Sequence, residues 1–445
     1  MSALVIKNAR IVNEGKVVEG DVQIVGDRID KVASSIAVAD SDQVIDAKGA
    51  WLMPGMIDDQ VHFREPGLVH KGTIATESRA AVAGGITSYM EMPNVKPSTT
   101  TLDALAAKHA IAAQSSLANY SFYLGASPDN LEQIKQLDPS SVCGVKVFMG
   151  ASTGDLLVEE PAILEAIFRE SPVLIATHCE SGPVIAKNTE RLALPGKDFT
   201  IDQHPLLRDD EACYQSSSLA VSLAKRFGSQ LNVLHITTAK ELALFDAGPV
   251  ENKSITAEAC VHHLWFSQDD YAALGNQIKC NPAIKREQDR VALLQALRDQ
   301  RIDIIATDHA PHTWEEKGQP YLSAPAGLPL VQHALLTLFD QVKRQELTVA
   351  QVVEKVAHNP ALRYRVAERG FIREGYYADL VLVDPNQTTP VTHDNTYYKC
   401  QWTPFNGVTF SARVVATLVN GQVVYDGEQP LQSAPIGEAL RFDRG

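Results

Sequence analysis

Several broad classes of protein leave marks that this sequence lacks. No apolar run approaches the roughly 20 residues that cross a bilayer, so nothing points to a membrane protein. Six cysteines (Cys143, Cys179, Cys213, Cys260, Cys280, Cys400) are scattered through 445 residues without a CxxC pair, which argues against a disulfide framework or a thiolate zinc knuckle. The opening segment MSALVIKNARIVNEG has no apolar core long enough for export. A reduced, cytoplasmic protein is the expectation. Positive charge is in deficit: 40 Lys and Arg stand against 54 Asp and Glu, a formal net charge of −14. A broad nucleic-acid face is therefore excluded, and an anionic ligand would need a local cationic clamp. No internal repeat or low-complexity tract appears.

What is present is a series of apolar runs, each ending in an ionisable or metal-binding residue. CGVKVFMG carries Lys146, VLIATHCE carries His178, LNVLHITT carries His235 and IDIIATDHAPH carries Asp308. A parallel strand buried on both faces reads as a continuous hydrophobic run, and a polar residue just past it faces the crevice where α/β barrels place their chemistry. GMIDDQVHFREPG (His62, Arg64), ITSYMEMPN (Asn94), NYSFYLGAS (Ser127) and SITAEACVHH (His262, His263) raise the count to eight candidate strands, the barrel number. TIATESRAAVAGG, LDALAAKHAIAAQ, EEPAILEAIFRE and DEACYQSSSLAVSLAKRFG lie between them with Ala and Leu at helical spacing. Strand then helix, repeated, is the βα unit.

The chain exceeds the roughly 250 residues of a barrel, and the surplus sits at both ends. ALVIKNARIV, GKVVEGDVQIV and RIDKVAS near the start, and ADLVLVDP and VVATLVNGQVVYDGE near the end, read as short strands joined by turns. Asn420-Gly421 is a strong hairpin signal. Neither end holds enough strands to bury a face alone. The expected architecture is α/β: a distorted TIM (β/α)8 barrel over residues 51–365, interrupting a small β-sandwich built from residues 1–50 and 366–445.

Imidazole nitrogen and carboxylate oxygen are the usual ligands of a hydrolytic zinc with an open water position. His62, His178, His235 and Asp308 form such a set. A single buried histidine is more often a packed core residue, but four strand ends of one barrel open onto one mouth. Lys146 is the odd member, because an ammonium has no lone pair for a cation. It either pairs with an anionic ligand group or reacts with carbon dioxide to a carbamate that bridges metals.

In combination, IDDQVHFREPG, MPN, KVFMG, THCE, LHIT, EACVHHLWFS, KCNPAIK and ATDHAPH resemble the amidohydrolase superfamily and, within it, class I dihydroorotases; the likeness runs through GYYADLVLVDP and covers almost the whole chain. The resemblance implies one or two Zn2+ ions per subunit. His62 and Asp308 would serve the first metal, Lys146 as N6-carboxylysine would bridge, and His178 and His235 would hold the second. It also implies a reaction, the reversible cyclisation of N-carbamoyl-L-aspartate to dihydroorotate, with Asp308 as the catalytic proton shuttle. His62, Arg64, Asn94, Asn281, His312, Ala326 and Gly327 would contact the substrate, the last two through backbone atoms. One position departs from the family pattern: Gln60 stands where the first His of HxH belongs, and an amide oxygen is a poorer zinc ligand than imidazole.

Each assignment has a plainer alternative. Arg64 could form a rim salt bridge, Asn94 could cap a loop, and Asn281, preceding Pro282, could serve a turn. Of His262 and His263, one could buttress the metal shell and the other face the core. TWEEKGQPYLSAPAG reads as a loop over the site. The competing functions are a hydantoinase, dihydropyrimidinase or allantoinase, and a catalytically impaired scaffold subunit suggested by Gln60. Arg64 disfavours the first group, whose rings lack a carboxylate. The expected partner is a small molecule, with no nucleic acid and no membrane; a homodimer is the expectation from the frequency of two-fold assemblies.

Overall fold

The computed structural model describes residues 2–150, 156–430 and 434–444. Eight parallel strands, here β1 to β8, follow one another around a barrel: Met56–Val61, Ile86–Glu91, Asn119–Phe122 (continued by Leu124–Gly125), Val145–Met149, Ile175–Cys179, Leu231–Val233, Ile255–Cys260 and Ile304–Ala306. Every neighbouring pair is parallel. The ring closes where Val61 bridges His309 just past β8 and the His62 N–H donates to the His309 carbonyl at 2.7 Å. These are the eight runs read from the sequence, and their residues are almost all buried, as strands covered by helices on one side and packed inside on the other must be.

The helices form where the sequence provides both an apolar stripe and an end signal. Asp210–Phe227 is capped by the Asp209 carboxylate, opens on Asp210 and Glu211, closes on Lys225 and Arg226, and stops at Gly228 in the left-handed region. That charge order complements the helix dipole. Thr73 and Thr101 cap Ile74–Ala83 and Leu102–Ser115 in the same manner. The barrel is distorted after β6, where two short 3-10 turns, Glu241–Leu244 and Val250–Asn252, stand in place of an α-helix before β7.

The chain ends meet in one eight-stranded sheet. Its order is Gln422–Tyr425, Arg413–Val419, Leu380–Asp384, Trp51–Pro54, Leu4–Asn13, Lys16–Val25 and Arg28–Ala33, with Gln43–Asp46 added beside Leu4–Asn13. Ile6, Ile11, Ile24, Leu52, Leu380 and Leu418 share its apolar core. Asn420 and Gly421 both have positive φ (48° and 75°) and turn the last hairpin.

Backbone pairing crosses the expected 50/51 and 365/366 cuts. Trp51–Pro54 pairs with Leu4–Asn13 and Leu380–Asp384, so it belongs to the terminal sheet. The final segment leaves that sheet for the barrel: Tyr120 and Glu438 pair through their backbones, and Arg444 donates to the carbonyls of Val142, Cys143 and Tyr364. Hydrophobic alternation reveals strands but not which sheet edge a strand at a junction will join.

Candidate metal and substrate site

All the residues singled out in the sequence for metal or substrate come together. His62, Arg64, Asn94, Lys146, His178, His235, Asn281, Asp308, His312, Ala326 and Gly327, with Gln60 and Phe148, line one cavity of about 260 Å3 at the C-terminal mouth of the barrel. They arrive from β1, β2, β4, β5 and the segments after β6, β7 and β8. Three of them, Arg64, His235 and Asp308, have φ of 73°, 41° and 49°. A side-chain-bearing residue in that region costs on the order of 1–3 kcal/mol, so neighbours must hold it there.

Those neighbours are identifiable. Beside Asp308, Thr307 is fixed to the Asp58 carboxylate through its N–H (3.1 Å) and hydroxyl (2.6 Å). On its other side, His309 bonds Glu77 at 2.9 Å and accepts the Leu330 N–H. Asp308 thus has both flanks pinned. His235 is set by its own N–H, which donates to Glu258 at 3.1 Å.

The histidine partners orient ring nitrogens inward. His178 Nε2 lies 3.0 Å from Glu180, and its Nδ1 faces His235 Nε2 at 3.0 Å. His62 Nδ1 lies 2.7 Å from Asn94 Oδ1, and its Nε2 faces Asp308 Oδ1 at 3.0 Å. When each outer nitrogen carries the proton, as donation to a carboxylate or carbonyl oxygen requires, the inner lone pairs face another donor atom across about 3 Å. Such an arrangement is stable with a proton or a cation between the two atoms. The donor set fits a hydrolytic metal.

Electrostatics support neutral imidazoles beside an ionised acid. Burial lowers the pKa of His62, His178 and, furthest, His235. Burial works to raise Asp308, but the hydrogen bond and charge of His62, with His262 and Lys146, leave it below its ordinary value. For Glu180, burial is outweighed by Arg208 and His178, which bring it to about 2. Lys146 is buried, and desolvation brings its amine to about 8. Its Nζ sits 4.8 Å from the Phe148 ring centre and forms no ion pair or hydrogen bond with any described residue.

Gln60 occupies the place of the expected histidine and is already engaged. Its Nε2 donates to Asp308 Oδ1 at 3.2 Å, and its Oε1 lies 3.7 Å from the Cys260 thiol. The amide thus turns an N–H, not a lone pair, toward the acid.

The substrate-facing wall centres on Arg64, which is 6% exposed. Its Nε donates to the Pro311 carbonyl (3.1 Å), Nη2 lies 3.0 Å from His312 Nε2, and Nη1 has no partner among the described residues. No described carboxylate lies within ion-pair distance, and burial brings the guanidinium to about 10. The Asn281 side-chain oxygen is likewise buried without a partner. Gly327, at φ 140°, has no room for a side chain, since a Cβ would fall 2.4 Å from the Ala310 carbonyl oxygen.

His262 and His263 lie outside the cavity lining. Their rings touch at 3.9 Å between centres, tilted by 42°, and His263 Nε2 meets the Pro282 carbonyl. Sequence reasoning missed the supporting residues. Glu180 was visible in principle, two residues past His178 on the same strand face. Arg208, which holds Glu180, and Lys71, which with the nearby Glu316 holds His312, come from distant segments that no local pattern connects.

A barrel of this closure with an inward-facing ring of imidazoles and carboxylates is the frame of a metal-dependent hydrolase. The chain belongs to the amidohydrolase family, whose sequence profile matches residues 51–424. A dihydroorotase of Halobacterium salinarum is 34% identical over 424 residues, covering 94% of this chain and 97% of that protein. A dihydroorotase of Methanosarcina mazei is 31% identical over 431 residues, 94% of this chain and 93% of its own. Among solved structures, the L-hydantoinase (dihydropyrimidinase) of Arthrobacter aurescens superposes with a TM-score of 0.93 at 25% identity, over 99% of this chain and 100% of its own. The dihydropyrimidinase of Brevibacillus agri NCHU1002 superposes with a TM-score of 0.88 at 23% identity, over 98% of each chain; it shares the fold.

Proposed function

We propose that the chain is a dihydroorotase, catalysing the reversible cyclisation of N-carbamoyl-L-aspartate to (S)-dihydroorotate and water in pyrimidine biosynthesis. The observation that carries this reading is Arg64, a buried guanidinium turned to the cavity with a free Nη1 and no carboxylate in contact. A buried cation without a counter-charge is costly. Dihydroorotate brings a ring carboxylate to pair with it, and hydantoin and dihydrouracil do not.

The metal is assigned as zinc, which nitrogen and carboxylate donors suit. His178 Nδ1, His235 Nε2 and a carboxylated Lys146 would hold one ion; His62 Nε2 and Asp308 would hold a second, with Gln60 weakening that site. Bound zinc supplies an acidified water and polarises the ring carbonyl. Lys146 reaches the carbamate when its neutral amine attacks carbon dioxide, forming the N–C bond and releasing one proton. With a pKa of about 8, about one-tenth of the amine is free at pH 7, against well under a thousandth at the ordinary lysine value.

Asp308 Oδ1 is occupied by His62 and Gln60, while Oδ2 has no partner among the described residues. Oδ2 is therefore the atom that takes the proton of the attacking water and delivers it to the departing ring nitrogen. Arg64 Nη1 donates a charge-assisted hydrogen bond to the substrate carboxylate, and Asn94 and Asn281 orient the ring. His312, beside Arg64 and the Ala326 carbonyl (2.9 Å), lines the same end.

No helix among the described residues is long and apolar enough to cross a membrane, and the six cysteines are free and buried. We assign the protein to the cytoplasm and to a homodimer. The test is turnover of purified, zinc-loaded protein on dihydroorotate, dihydrouracil, hydantoin and allantoin. Preference for dihydroorotate supports the reading; preference for an uncharged ring transfers it to the hydantoinase type. Zinc-free, inactive protein whose Gln60→His variant gains both metal and turnover would mark the wild-type chain as an impaired scaffold.

A further inference from the structure

Lys317 is a lysine where a lysine is least expected. It lies on the short turn Trp314–Lys317 after β8 and is only 3% exposed. No carboxylate pairs with it among the described residues. Its Nζ instead donates to three backbone carbonyls, Lys279 (3.1 Å), Pro325 (3.0 Å) and Gly327 (2.9 Å). An ammonium has three N–H groups, and each is used on a different carbonyl.

The acceptors belong to two walls of the substrate cavity. Pro325 and Gly327 flank Ala326, and Lys279 leads through Cys280 into Asn281. Lys279 returns the arrangement, its own Nζ donating to Tyr321 (2.5 Å) and Ala324 (2.6 Å), while the Gly327 N–H donates to the Lys279 carbonyl at 2.8 Å. The Gly327 N–H is thereby consumed inside the wall. No backbone hydrogen bond from the Ala326 N–H is formed among the described residues, and the Asn281 side-chain oxygen is buried without a partner there.

We propose that Lys317 is a positioning residue for substrate: its ammonium ties the Ala326 loop to the Asn281 segment, holding the free N–H and the free carboxamide in register with Arg64. This rests on the cavity's being the site for a cyclic substrate with a carboxylate. Burial, with Lys279 and Arg64 nearby, brings Lys317 to about 7. Burial therefore works against the charged form, while the three carbonyls use all three N–H groups of the ammonium; a group only filling space could be apolar without that cost.

The test compares wild type with Lys317→Met and, because three orphaned carbonyls could prevent that variant from folding, with Lys279→Met, which removes the Tyr321 and Ala324 bonds and the contact with the Tyr321 ring. Steady-state kinetics on dihydroorotate are measured beside amide hydrogen exchange over residues 320–328 without substrate. The expected result for a folded Lys317→Met is a KM raised at least tenfold, kcat within threefold, unchanged zinc content and faster exchange at Gly327. Lys279→Met should shift the same way by a smaller factor, and Lys317→Arg should restore part of the KM. Unchanged KM, or a fall in kcat alone, in the folded variants overturns the proposal. If wild type proves inactive on dihydroorotate, the substrate assignment falls by itself. The exchange data then decide the clamp, and unchanged exchange at Gly327 refutes it.

Discussion

Replacing Arg64 by methionine removes the charge while keeping much of the side-chain volume, and it separates dihydroorotate from every uncharged ring. Two guanidinium nitrogens are held by Pro311 and His312, and Nη1 is left for the ligand. Truncating one partner of a buried, hydrogen-bonded charge pair costs about 2–5 kcal/mol, which is roughly 30-fold to 5,000-fold. We therefore expect kcat/KM for dihydroorotate to fall by a factor in that range, mainly through KM. Dihydrouracil has the same ring without the carboxylate, and its kcat/KM should change by less than about threefold. Chromatographic detection of the N-carbamoyl products gives both numbers in one assay, and Arg64→Lys should fall between because an ammonium keeps the charge but loses the planar group that Pro311 and His312 hold in place. Equal losses on both rings would refute the reasoning, since they would mean that Arg64 merely supports Pro311 and His312.

Further outcomes follow from the same geometry. Glu180→Gln leaves the His178 ring without its carboxylate and should weaken zinc affinity by about 10- to 100-fold, measured by competition with a chromogenic chelator; unaltered affinity would remove Glu180 from the metal's support. Gln60→His puts a lone pair where an N–H now points at Asp308, so tightly bound zinc per chain should increase by elemental analysis; an unchanged ratio contradicts the account of that position. Stability should fall as pH drops from 6.5 to 5. Eleven of the 13 histidines are held below their ordinary pKa, chiefly by burial. The unfolded chain therefore binds more protons in that window, up to about 1.4 kcal/mol per pH unit for each histidine. Six buried carboxylates that burial raises, Asp58 (about 8), Asp59 (about 6), Glu91, Glu241, Glu258 and Asp303, act in the opposite direction but are outnumbered by the eleven histidines. A melting temperature that is flat or rising toward pH 5 would contradict this balance.

The barrel was legible because its physics is local. A strand buried on both faces must be apolar throughout, and the residue that ends it must face the mouth, so His178 and Asp308 could be placed from their runs alone. Asn420-Gly421 declared its turn through the only backbone conformation that fits. The junction was less legible: Trp51–Pro54 is apolar enough for either sheet, and its hydrogen bonds with Leu380–Asp384 depend on a strand more than 300 residues away. The same limit applies within the site. His312 could be named from DHAPH, but its contacts with Lys71 and Arg64 arise only when the β1 and β8 loops meet. Lys317 was hidden for another reason. In TWEEKGQP it reads as one more surface charge, and only the fold encloses it among carbonyls.

The most direct measurement is diffraction at the zinc absorption edge from crystals of the zinc-loaded protein soaked with dihydroorotate. An anomalous peak within bonding distance of His178 Nδ1, His235 Nε2 and a carboxylated Lys146, with the ring carboxylate on Arg64, is the predicted result. A peak away from those atoms, or a ring bound with its carboxylate turned from Arg64, would contradict the account.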